Sequence, residues 1–91
     1  MDNQLDDKIA ARVLWRLVKH LQTRHDVENI DLMNLAGFCR NCLAKWYYEE
    51  MENIGASGDR DDIKKLIYGM DYDQWKKLYQ KGEKLPPKDG I

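Results

Sequence analysis

Asp31-Leu-Met-Asn-Leu-Ala-Gly37-Phe38-Cys39-Arg40-Asn41-Cys42-Leu-Ala-Lys-Trp46-Tyr-Tyr-Glu-Glu-Met51 is the stretch on which the fold turns. Leu32, Leu35, Ala36, Cys39, Cys42, Leu43 and Trp46 recur at three- and four-residue spacing, the mark of one apolar helix face. The spacing predicts a helix over 32–51. Asp31 stands where an N-cap belongs, ready to accept from the unpaired amides of a first turn. Gly37 then falls in the helix interior, where it costs about 1 kcal/mol relative to alanine. On that continuous helix Asn34, Gly37, Asn41 and Tyr48 share a polar strip facing away from the core. A glycine between asparagines either lets another backbone approach closely or is simply tolerated on a solvated strip.

Upstream, Ile9, Val13, Leu14, Leu17, Val18 and Leu21 give a second amphipathic helix over about 5–24, joined to the first by residues 25–30. Two such helices with so short a link form an antiparallel hairpin. Downstream, residues 53–58 are rich in turn formers. Asp59 with Asp62 opens a short helix over about 60–68 carrying Ile63, Leu66 and Ile67, with Gly69 as its stop. Asp71 with Gln74 opens another over about 72–81, bearing Tyr72, Trp75, Leu78 and Tyr79, and Gly82 ends it. Pro86-Pro87 keeps the tail, 82–91, irregular. No run alternates strictly enough for a strand. The expected fold is a single all-α domain over 1–91, a helical hairpin capped by two short helices.

Composition narrows the function. The chain has 91 residues, 43% apolar and 34% charged, with a net charge of −1. That supports a folded core and gives no field to draw in nucleic acid or an acidic membrane. No apolar run reaches the roughly 18 residues of a membrane span. The acidic opening lacks the positive and apolar regions of a signal peptide, so a cytoplasmic, reduced protein is expected.

Cys39-x-x-Cys42 is the constellation with most chemical promise, and it has three readings. A redox pair wants its first cysteine at a helix N-terminus, where the dipole favours thiolate. On a continuous 32–51 helix Cys39 sits about two turns in. A zinc or iron site wants further ligands, and His20 is the best placed of the two histidines. The third reading makes both cysteines small buried core residues, since free cysteine packs as a small hydrophobe. That last reading needs no cofactor.

Lys8, Arg12, Arg16 and Lys19 form a basic stripe on the first helix with Trp15 at its edge. Such a stripe contacts phosphates in nucleic-acid binders, but more commonly it is a solvated face. Trp15 and Phe38 are the aromatic candidates for a protein contact. No catalytic dyad, phosphate loop or dinucleotide fingerprint is present, so the sequence gives no grounds for an enzyme.

Residues 26–47, together with Tyr68-Gly69-Met70 and the segment from Trp75 to Tyr79, resemble the family catalogued as domain of unknown function 1244. The resemblance implies a compact helical fold in a bacterial, cytoplasmic protein and implies no activity. Together these readings describe a non-enzymatic helical interaction module. It would self-associate as a homodimer or bind a protein partner through Trp15, Asn34, Gly37, Phe38 and Asn41. The alternative is a metal or thiol-redox protein built on Cys39, Cys42 and His20.

Overall fold

The computed structural model describes residues 3–81, and within them the chain forms five helices and no strand. They are α1 (Asn3–Thr23), α2 (Asn29–Ala36), α3 (Arg40–Asn53), α4 (Arg60–Tyr68) and α5 (Tyr72–Tyr79). The expected all-α class holds. The expected helix over 32–51 does not, because it is two helices broken at Gly37. The irregular tail expected over 82–91, and the Gly82 stop, lie outside the described residues.

The break follows from the glycine. Gly37 takes φ +76° in the left-handed region and its amide returns to the Met33 carbonyl, closing α2. Glycine adopts that conformation without the steric cost a Cβ imposes. Two residues later Cys39, extended at φ −144°, starts α3 as its N-cap. The start of α2 also differs from expectation. Glu28 is the N-cap and Asp31 occupies the third helical position, where its carboxylate accepts from the Glu28 amide at 2.8 Å. Asp31 thus helps seal the helix start from inside the first turn, as a capping box does.

Further on, the signals at Asp59 and Gly69 act as read, while the helix expected over about 72–81 ends at Tyr79. The Asp59 carboxylate accepts from the amides of Asp61 at 2.7 Å and Asp62 at 3.4 Å, and Gly69 closes α4 at φ +75°. Asp71 is the N-cap of α5, although its side chain makes no capping bond.

Short α4 is the hub rather than a lid over a hairpin. It packs against α3, α5 and α1. The buried core joins Val18 of α1, Ala44 of α3, Ile63, Ile67 and Tyr68 of α4, and Trp75 of α5. Trp75 is stacked edge-on against Tyr68, with ring centres 4.8 Å apart. An aromatic contact of this kind adds about 0.5–1.5 kcal/mol beyond the area it buries. Gln22 ties α1 to the end of α4, its Nε2 donating to the Leu66 and Ile67 carbonyls at 3.2 and 3.1 Å. No helix among the described residues is long and apolar enough to cross a membrane.

α1 is used unevenly. Its buried residues are Val18 and Leu21, both in the last two turns. Leu35, assigned by periodicity to the core face, is instead 88% exposed on α2. The broken helix explains this, because a new helix starting at Arg40 need not continue the phase of α2.

Candidate functional site

The break turns Gly37-Phe38-Cys39-Arg40-Asn41-Cys42 into a junction where the helices meet. Arg40 occupies the first turn of α3 and is 1% exposed. Its Nη2 donates to the carbonyls of Leu21 and Arg24, both at 3.1 Å. The last carbonyls of a helix lack intrahelical donors, so the guanidinium serves α1 as a cap supplied from another helix. Nη1 donates to Asn29 Oδ1 on α2 at 3.1 Å, and the guanidinium carbon lies 5.0 Å from the centre of the Trp75 ring. One side chain thereby fixes α1, α2, α3 and α5 against each other. Burial lowers its pKa, while Tyr68, Cys39, Asp26 and Asp31 oppose that shift.

Asn41 extends the network. It accepts from the Tyr68 hydroxyl at 2.6 Å and donates to the Tyr72 hydroxyl at 3.1 Å. Asn29 Nδ2 donates to the same Tyr68 oxygen at 2.9 Å. Tyr68 is thus satisfied as both donor and acceptor, as a buried hydroxyl must be. Burial is the main cause that pushes its pKa up, and the bond from Asn29 works the other way. Asn41 therefore faces inward, the reverse of the outward strip expected on an unbroken helix. Gly37 and Asn34 are exposed on the outer side.

Cys39 and Cys42 are free, buried and close, with sulfurs 3.7 Å apart. The structure moves Cys39 from a helix interior to the N-cap of α3 and places Cys42 at the third helical position. Burial pushes the Cys39 thiol up, and the amides of Cys42 and Asn41 favour its thiolate. His20 lies exposed on α1, and no group of three His, Cys, Asp or Glu converges among the described residues. The structure thus brings the two cysteines together without His20.

The remaining interaction candidates divide. Trp15 is half-buried and lies 6.1 Å from the Tyr47 ring, so it helps join α1 to α3. Phe38 is half-buried beside Trp46 at 6.3 Å. Sequence reasoning missed Arg40, Asn29, Tyr68 and Glu28. Glu28 is buried in the α1–α2 connection and accepts from the Lys81 amide at 2.7 Å, holding the end of α5. One signal could have exposed the junction. Gly37 read as a helix stop, rather than as an interior glycine, would have put Cys39 at the start of a new helix.

Fold and junction define a small all-helical protein assembled around one buried arginine. Over residues 27–84 the chain matches the family described as protein of unknown function (DUF1244), and it belongs to that family. The match covers α2 to α5 and the whole junction, and it begins after α1 ends. None of the curated proteins matches the chain.

Proposed function

We propose that this protein is a non-enzymatic interaction module of the bacterial cytoplasm that self-associates through α1. One observation carries the reading. Leu5, Ile9, Val13 and Leu17 recur every four residues along α1 and remain 46%, 43%, 62% and 37% exposed. Single exposed apolar residues need no explanation, but an aligned row of four on one helix face does. Leu14, three residues from Leu17 and so its neighbour on the helix surface, lines an apolar groove with Leu43, Trp46, Tyr47 and Met51. The row and the groove are continuous.

A second copy of the same helix is the occupant that fits. In an antiparallel pair centred on Ala11, Leu5 lies level with Leu17 of the second copy and Ile9 level with Val13. The acidic turn of Asp6 and Asp7 then comes level with Arg16 and Trp15. The test is sedimentation over a wide concentration range, comparing wild type with Ile9→Lys/Val13→Lys. Wild type should move from the mass of one chain toward two, and the variant should stay at one with unchanged helicity. A wild-type chain that remains monomeric at high micromolar concentration overturns the proposal.

A further inference from the structure

We infer that Cys39 and Cys42 form a thiol–disulfide exchange site, with Cys39 the attacking thiol and a small disulfide its substrate. An N-cap is the place for Ser, Thr, Asp or Asn, whose oxygens accept from the first-turn amides. Cys39 holds that position on α3 and makes no side-chain capping bond. Its sulfur lies instead 3.7 Å from that of Cys42, and both thiols are free.

Extended backbone at the first cysteine and helical backbone at the second bring the two sulfurs of this Cys-x-x-Cys pair together. Bond formation requires the sulfurs to close to about 2.05 Å. The first-turn amides of α3 and the guanidinium of Arg40 lie close to Cys39 and favour negative charge there. Burial opposes them by pushing the thiol up. The outcome is a Cys39 thiol that is protonated at rest, in a buried pair shielded from indiscriminate modification yet held ready to close once one sulfur is attacked. Each cysteine retains 8% exposure, so neither residue is wholly sealed from the surface.

The chemistry balances without a metal. Cys39 gives up its proton and attacks one sulfur of a low-molecular-weight disulfide. The substrate S–S bond breaks, and the departing thiolate takes a proton and leaves as a thiol. Cys42 then loses its proton and attacks the Cys39 sulfur of the mixed disulfide. The Cys39–Cys42 bond forms, and the second half of the substrate leaves as a thiol. Two protein thiols lose two electrons in total, and one small disulfide becomes two thiols.

Oxidised glutathione is the probe, applied to the reduced full chain. The reaction is quenched with acid, free thiols are labelled with a maleimide, and intact mass is read. The wild-type chain should lose both labels together, carry no adduct, remain one chain, and regain both labels after dithiothreitol. Cys42→Ser should accumulate a one-to-one glutathione adduct on Cys39 at least tenfold faster than Cys39→Ser accumulates one on Cys42. Wild type that keeps both labels after prolonged exposure overturns the site, as does disulfide formation only between chains. Equal adduct rates in the two variants overturn Cys39 as the attacking thiol. The wild-type label count does not depend on either variant folding.

Discussion

Two regions of this molecule reverse the usual placement of polar and apolar groups. At the junction a guanidinium, two carboxamides and a tyrosine hydroxyl are held inside. Along the first three turns of α1, leucine, isoleucine and valine face outward. The junction lies within the span matched to the family and the row on α1 lies before it. The contrast teaches that burial here follows bonding opportunity rather than hydrophobicity. Arg40 is inside because the carbonyls at the end of α1 each have room for a second donor and α2 offers Asn29. Leu5 and Ile9 are outside because α1 extends past the helices that could cover it.

If the junction holds the helices together, removing its central donor should have the largest effect on stability. Arg40→Met keeps the bulk and loses every side-chain hydrogen bond. The Leu21 and Arg24 carbonyls and Asn29 Oδ1 each keep one backbone donor and lose the guanidinium. Hydrogen bonds from a charged donor are worth about 1.5–3 kcal/mol each, so losing this set should cost about 3–5 kcal/mol, a large share of the roughly 5–15 kcal/mol that stabilises a small protein. Urea unfolding should show this loss as a large fall in midpoint. A loss under about 1 kcal/mol would mean that helix packing alone fixes the junction.

Tyr68→Phe should cost less, about 1–3 kcal/mol, because Asn29 and Asn41 each lose one partner while the ring still packs on Trp75. It also gives a pH test. Folding raises the Tyr68 pKa above its ordinary value of 10.0. The unfolded chain therefore releases this proton first, so the contribution is fully present below about pH 10 and is lost as pH rises. Cys39, also raised, acts with the same sign above its ordinary 9.0 and remains in the variant. Stability should fall on the alkaline side in both proteins, and less steeply in Tyr68→Phe.

Gly37→Ala separates the observed junction from the continuous helix that periodicity predicts. In a helix interior the change would stabilise by about 1 kcal/mol. At φ +76° it should destabilise by about 1–2 kcal/mol, although nothing lies within 4 Å of an added Cβ. The sign alone decides between the two, and thermal unfolding reads it.

That opposition of signs marks where the sequence was legible. The helical class, Asp59 as a cap and Gly69 as a stop could be read because each depends on neighbours a few residues away. The break at Gly37 carried an equally local signal, but the apolar spacing ran through it by coincidence and outweighed it. Arg40 could not be placed inward from sequence, since its acceptors lie 16 and 19 residues back, at the end of a different helix. Cys39 and Cys42 were visible as a pair. Their chemistry was not, because one misplaced helix boundary moved Cys39 from a cap into a helix interior.

The smallest effect on the stability of one chain is expected where the most hydrophobicity is altered. Ile9→Lys with Val13→Lys replaces two exposed side chains on a helix that contributes its buried residues two turns further on. Exposed substitutions of this kind usually stay within about 0.5 kcal/mol, and lysine is as good a helix former as most. Denaturation at low micromolar concentration, where single chains dominate, should therefore barely distinguish the variant from wild type. At high concentration the curves should separate, because only wild type gains stability from association. A large loss already present at low concentration would place the first half of α1 among the elements that hold the fold together. It would then no longer be a face kept free for a second copy.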